Sequence, residues 1–259
     1  LVTPGETITS DPQFMKGHGV YTSPASPSDL ISSAAGVVDR VNKLITVRTL
    51  RSRYTGHVGD VVVGRVTDLG PRRWRIDINS FQDAHLQLSA IHLPGGVQRR
   101  KTEADELEMR KYFAEGDVLV SEVQSPNASD ASFNLHTRST KYGKLRNGCL
   151  VVVPPALIQR CKSHFHSLPN GVDVILGLNG YIWVAMSAAQ AQAQQQQAAA
   201  ASITAIDPDR IATESLYSSK NDVIPRETRA NIARVANVIR ALARSDLPIS
   251  DTMIVYGYE

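Results

Sequence analysis

Alternation of apolar and polar positions with a period of two dominates the middle of this chain. Trp74, Ile76 and Ile78 fall on one face of a segment, and Arg73, Arg75 and Asp77 fall on the other. That is the pattern of a strand with one side buried. Ala84 to Leu88 and Ala131 to His136 alternate in the same way, the latter with Phe133 and Leu135 on one face. Two near-copies flank these segments: Gly59-Asp60-Val61-Val62-Val63-Gly64-Arg65-Val66 and Gly116-Asp117-Val118-Leu119-Val120-Ser121-Glu122-Val123. In each, Gly-Asp punctuates the chain and a β-branched run suits a pleated surface. Thr102 to Phe113, rich in Glu, Leu, Met, Arg and Lys, has helix-forming composition. From Gly59 to Arg138 the predicted order is three strands, a helix and two strands, the order of an OB-fold barrel.

The flanks read differently. Before the barrel, Pro4-Gly5-Glu6-Thr7-Ile8-Thr9 is a turn feeding a strand, and Lys16-Gly17-His18-Gly19-Val20-Tyr21 is a tight turn or bulge. His18 is expected to be held by neighbouring backbone rather than to bind a ligand. Gly36 to Val41 and Leu44 to Val47 pair as a hairpin around Asn42-Lys43. After the barrel come a strand from Cys149 to Val153 and a short helix from Ala156 to Lys162, with Pro155 at its start. Strands Val172 to Leu176 and Tyr181 to Val184 follow. Pro225 to Arg244 carries Ile232, Val235, Ala236, Ile239 and Leu242 on one helical face, and Met253 to Tyr256 reads as a last extended segment. Ser187 to Ser202 is almost pure Ala and Gln, either helical or disordered. The expected fold class is mainly β with an α+β C-terminal part. Its expected domains are residues 1–52, 53–139 and 140–259, the last carrying the insertion at 187–202.

Composition adds limits. The 259 residues are 42% hydrophobic and 20% charged, an ordinary globular balance for two or three small domains. No run reaches the roughly 20 apolar residues of a membrane-spanning helix. The chain starts at Leu1 without a basic-then-apolar leader and reads as trimmed, as does its end at Glu259. Cys149 and Cys161 lack zinc-site spacing and are expected to be reduced thiols. The net charge is only +3, but residues 141–186 carry Lys141, Lys144, Arg146, Arg160 and Lys162 against Asp173 alone. Such a local excess suits a phosphate backbone.

The candidate contacts are therefore cationic. Arg73 and Arg75 lie on the exposed side of the Trp74 strand and Arg72 directly precedes it, so all three are candidates for an exposed surface, while Trp74 itself is expected to fill the barrel. Arg99, Arg100 and Lys101 follow the turn Gly95-Gly96 and could track a backbone without reading bases. Lys141, Lys144 and Arg146 make up a basic linker. Phe81 and His85 are candidates for base stacking. Gly177-Leu178-Asn179-Gly180 has the G-x-x-G form of the KH-domain clamp, but strands flank it where the clamp needs helices, so it reads as a hairpin turn. His164 and His166 lack further ligands at metal-site spacing. The acidic run Glu103, Asp105, Glu106 and Glu108 is the best hydrolase candidate, and its helical spacing fits a solvated face better.

These segments together resemble one family. Met15-Lys16-Gly17-His18-Gly19-Val20-Tyr21, Arg40-Val41-Asn42-Lys43-Leu44-Ile45, the Gly59 to Val66 strand, Leu93-Pro94-Gly95-Gly96, His136-Thr137-Arg138-Ser139 and Lys141-Tyr142-Gly143-Lys144-Leu145 resemble the ribosomal RNA-processing protein 4 family of RNA exosome cap subunits, over nearly the whole chain. The resemblance implies an N-terminal β domain, an S1-type OB barrel and a KH-like domain of the eukaryotic form, which lacks the glycine clamp. It implies a non-catalytic subunit that binds single-stranded RNA, needs no cofactor or metal, and sits with other cap subunits on a ring of RNase PH-like proteins. It implies that associated exoribonucleases cut the RNA and that helicase cofactors are further partners, in nucleus, nucleolus and cytoplasm. The sister S1/KH cap subunit and a free RNA-binding translation factor are the alternatives.

Overall fold

A computed structural model describes residues 1–91, 103–127, 130–139, 141–187 and 217–258. The Arg99 to Lys101 cluster and nearly all of the Ala/Gln insertion lie outside the described residues. The described chain is mostly β and divides into two compact units, Leu1–Ser52 and Arg53–Glu259.

In the first unit, β1 (Thr7–Thr9), β3 (Val20–Ser23) and β4 (Ser26–Ser32) form one small sheet in the order β1-β4-β3, and β2 (Met15–Lys16), β5 (Gly36–Val41) and β6 (Leu44–Thr49) form another in the order β2-β6-β5. The β5–β6 hairpin turns at Asn42, whose φ of 54° is one that asparagine tolerates. The His18 carbonyl accepts the Val47 N–H at 2.9 Å, fixing that segment through its backbone.

The second unit begins with β7 (Val61–Gly70), β8 (Arg73–Asp77) and β9 (Ala84–Ile91), continues through α1 (Glu103–Leu107) and α2 (Met109–Tyr112), and adds β10 (Val118–Pro126) and β11 (Phe133–Thr137). The strands run β11-β9-β8-β7-β10, and a β10–β11 pairing closes them into a five-stranded barrel. Trp74, Ile76, Ile78, Leu86 and Leu135 are buried inside it. Burying an indole requires a partner for its N–H. Trp74 Nε1 donates to the Phe113 carbonyl at 2.9 Å, and its ring meets Phe113 edge-on at 5.4 Å. The expected single helix from Thr102 to Phe113 is broken. Glu108 leaves helical geometry (φ −97°, ψ 11°), which turns Met109 and Phe113 into the core.

The two Gly-Asp repeats have matching structures. Gly59 and Gly116 have φ of 88° and 89°. Asp60 accepts the backbone N–H of His57 at 3.0 Å, and Asp117 accepts that of Ala114 at 2.8 Å. Gly59 and Asp60 bond the backbone of Val123, while Gly116 and Asp117 bond that of Val66. The β7–β10 pair therefore repeats one turn at both ends.

The chain continues through β12 (Gly143–Lys144), which joins the edge of β10. Then β13 (Gly148–Val152), β14 (Phe165–Leu168), β15 (Val172–Leu176) and β16 (Tyr181–Met186) make an antiparallel sheet in the order β13-β16-β15-β14. Side chains alternate across it. Trp183, flanked by Tyr181 and Ala185, packs on Val63 and Val120 of the barrel. Ile182 and Val184 join the cluster of Ile232, Val235 and Ile239 from α3 (Arg226–Arg244). Barrel, sheet and helix thus make three layers.

Two expectations for this region are corrected. Ala156 to Lys162 is not a helix: one 3₁₀ turn, Pro155–Leu157, gives way to extended backbone at Ile158. Ile158 is drawn off by a bridge to Ile249, whose N–H bonds the Leu157 carbonyl at 2.8 Å. Met253 to Tyr256 is not extended but part of α4 (Asp251–Tyr258). The Ser250 hydroxyl accepts the Met253 N–H at 3.3 Å, an N-cap that outweighs the β preference of Ile254 and Val255.

Candidate nucleic-acid interface

Because the inner positions of β8 and β9 fill the barrel, their alternate positions must face outward. Arg73 lies opposite Gln87, and Arg75 opposite His85, in adjacent antiparallel strands. On the far side of His85, β11 places Asn134 in register. Arg73, Arg75, His85, Gln87 and Asn134 therefore form one polar strip on the outer wall. Gln87 and Asn134 escaped the sequence reading, although the β9 alternation that buries Ala84, Leu86 and Leu88 also points Gln87 outward.

Charge on the strip is partly free. Arg73 is exposed and enters no ion pair among the described residues. Arg75 has only a long contact of 3.9 Å to Asp68, with both side chains well exposed. Burial, and then the charge of Arg73, push His85 below the ordinary imidazole pKa, so the ring is neutral at physiological pH. Its buried Nδ1 has no partner among the described residues. Phe81, in the loop from β8 to β9, is 73% exposed, an aromatic face open to stacking.

The other sequence candidates are placed differently. Arg72 sits in a left-handed turn (φ 54°) and its Nε meets Glu106 at 2.7 Å, so much of its charge is matched. Lys141 is exposed. The Lys144 side chain, by contrast, is 3% exposed and ion-paired with Asp117, while its ammonium also donates to Ser219 Oγ at 2.7 Å and the Tyr217 carbonyl at 3.3 Å. It ties the linker to the barrel and to residues 217–219, and presents almost no charge to solvent. Arg146 reaches the Lys220 carbonyl at 3.3 Å.

The tetrapeptide Gly177 to Gly180 does not face outward either. Asn179, fully buried, donates from Nδ2 to the carbonyls of Val63 at 2.7 Å and Ile78 at 2.9 Å. Its own carbonyl accepts from Asn79 Nδ2 at 2.9 Å, and the Leu178 N–H bonds the Val61 carbonyl at 3.0 Å. A side chain at Gly177 would sit 3.0 Å from the Val63 nitrogen and 2.4 Å from the Tyr181 carbonyl, so only glycine fits this approach. The turn pins the loop that carries Phe81. A second tie closes the base of the barrel: Asp60, 1% exposed, accepts Tyr54 Oη at 2.6 Å and meets Arg160 at 2.7 Å. Burial and the Asp60 carboxylate push the Tyr54 phenol far above its usual pKa.

A closed barrel with an outward cationic strip, fastened to a four-stranded sheet with a helix behind it, defines an RNA-binding protein of the S1–KH class. Family models agree: "RRP4, S1 domain" matches residues 53–125, "KH domain" residues 148–190, and "Exosome complex exonuclease RRP4 N-terminal region" residues 1–41. The chain is 49% identical over 259 residues to the exosome complex component rrp4 of Schizosaccharomyces pombe, spanning all of this chain and 75% of that protein. It is 45% identical over 275 residues to the component RRP4 of Saccharomyces cerevisiae, covering 76% of it, and 44% identical to that of Bos taurus, covering 80%. The chain belongs to the Rrp4 family of exosome components.

Proposed function

We propose that this chain is a cap subunit of an RNA exosome that binds RNA without cutting it and guides it toward a channel for 3′-to-5′ processing. The observation that carries this reading is the exposed Arg73, in no ion pair among the described residues, beside Arg75, His85 and Gln87 on the outer barrel wall, in a member of the Rrp4 family. Guanidinium groups on an OB wall hold phosphates while neutral polar groups and Phe81 accommodate bases, and this gives sequence-tolerant, salt-dependent binding. Within the second unit we assign 53–139 to the S1 barrel and 140–259 to the KH-like part. Arg99, Arg100, Lys101 and Lys141 are proposed as further backbone contacts, and Arg72 and Arg146 as weaker ones, since each is already engaged.

The acidic run supports a non-catalytic role. Glu106 is matched by Arg72 and Glu108 by Lys111, while Asp105 is buried. Glu106 and Glu108 are thus held by cations on and beside the helical segment between β9 and β10, a structural use that needs no reacting centre. The N-terminal unit exposes Met15, Val41, Leu44 and Leu50, apolar surface suited to packing on a partner. We assign that surface to RNase PH-like ring proteins, with other caps, exoribonucleases and helicase cofactors in the same assembly, in nucleus, nucleolus and cytoplasm. Purification from native extract tests the reading. Recovery of ring proteins, and no RNA cleavage by the purified chain with divalent metal, is expected. Cleavage by the chain alone, or its recovery with ribosomal factors instead, contradicts it.

A further inference from the structure

The helix α3 has a second charged surface that the barrel reading does not use. Its apolar side, Ile232, Val235, Ala236 and Ile239, is buried against the sheet. At 100° per residue, Arg226, Arg229, Arg240 and Arg244 fall within an arc of about 60° on the exposed flank of that side, and Arg234, about 80° further round, lies most nearly opposite it. All five are exposed, and none is ion-paired among the described residues. Arg229 donates to the Ile224 carbonyl at 3.2 Å, and Arg240 to Asn237 Oδ1 at 3.0 Å. Glu227 is the one acidic residue in the helix. Between the arginines lie Ala230, Ala233, Asn237 and Ala241, all exposed.

A solvated helix ordinarily mixes signs, because i,i+4 pairs of opposite charge stabilise it. This one forgoes such pairs along 19 residues, or about 28 Å at the usual rise. We infer that the outer face of α3 is a second RNA contact, binding the phosphate backbone of a strand that extends beyond the barrel. The chemistry favours phosphate. Arginine presents a planar fork to phosphate oxygens, the short side chains between leave the floor low enough for a backbone to lie close, and the helix itself carries no aromatic residue to stack a base. Because α3 packs on the sheet face opposite the barrel, a short RNA on the barrel does not reach it. A long RNA does. The inference rests on the barrel binding RNA, and the two sites separate by RNA length.

The test uses the full chain in the reconstituted complex and two labelled RNAs, one of about 8 nucleotides, the footprint of an OB barrel, and one of about 40. The variant R226Q/R229Q/R240Q/R244Q is expected to bind the short RNA as the unmodified chain does. It should bind the long RNA about tenfold more weakly, with the slope of log K against log salt reduced by about 2 to 3, as loss of four single-strand phosphate contacts requires. The corresponding Arg→Lys variant keeps the charge and restores most of the slope. Unchanged affinity and slope for the long RNA overturn the inference. So does loss of binding to a polyglutamate peptide with RNA binding intact, which marks the face as a site for an acidic protein. The variant R73Q/R75Q bears on the barrel alone: normal short-RNA binding there contradicts the barrel reading, while the α3 comparison on the long RNA still stands.

Discussion

Asn179 and Val63, 116 positions apart, exchange two hydrogen bonds: Asn179 Nδ2 donates to the Val63 carbonyl at 2.7 Å, and the Val63 N–H donates to Asn179 Oδ1 at 3.3 Å. One buried amide therefore completes the backbone of a barrel strand that would otherwise end unsatisfied against the sheet. Asn179→Ala strands the Val63 N–H and carbonyl and the Ile78 carbonyl in a dry interface. Unsatisfied buried groups cost about 1–3 kcal/mol each, with partial relief by relaxation, so a loss of about 2–4 kcal/mol is expected in urea unfolding. A loss below about 0.5 kcal/mol, the ordinary scatter of surface substitutions, removes Asn179 from that role.

Lys144 separates structural charge from binding charge. With the ammonium nearly inaccessible and ion-paired with Asp117, Lys144→Ala leaves a largely buried carboxylate uncompensated. Breaking such a pair costs about 3–5 kcal/mol. Thermal melting is expected to drop sharply, while RNA affinity at a temperature where the variant is folded stays within about twofold. Lys141→Ala should do the reverse, with little change in melting and a shallower salt dependence of RNA binding.

The barrel's shape and the outward placement of Arg73 and Arg75 were legible in the sequence because they follow from short-range alternation. Trp74, Ile76 and Ile78 fixed the inside of β8 and thereby the outside positions of Arg73 and Arg75. The apolar stripe from Ile232 to Ile239 likewise marked α3. What escaped depends on distant partners. Nothing near Lys144 foretells Tyr217 and Ser219, and nothing near Arg72 foretells Glu106, so both looked like free cations. Asn179 looked like a turn residue because its partners lie in the barrel. α4 was hidden by two β-branched residues whose local preference is overridden by the Ser250 cap and the burial of Ile254. The arginines of α3 are visible in the sequence, but their lack of ion-pair partners among the described residues is a property of the fold.

Two histidines give the fold a pH dependence of known sign. Burial pushes His164 and His85 below the ordinary imidazole value of 6.5. As pH falls, the unfolded chain takes up these protons first, so the stability is fully present above about 6.5 and declines toward the depressed folded values. Urea midpoints should fall as pH drops below about 6.5, and His164→Phe should flatten that slope. A midpoint that rises over the same interval contradicts the assignment.

His85 also reports on the strip. After burial, the charge of Arg73 is the next cause of its low pKa. Arg73→Gln is expected to move the His85 titration upward in NMR, and RNA bound to Arg73 should do the same by placing phosphate charge beside it. No movement with RNA present would place the phosphates elsewhere.

The most direct measurement is RNA protection by the reconstituted complex carrying R73E/R75E. Both side chains are exposed, and reversal leaves the barrel core intact. The expected result is normal assembly and melting, with RNA protection lost and affinity lowered by at least tenfold at low salt, the loss shrinking as salt rises. Assembly with undiminished protection at every salt concentration would contradict the claim that this wall of the barrel receives the RNA.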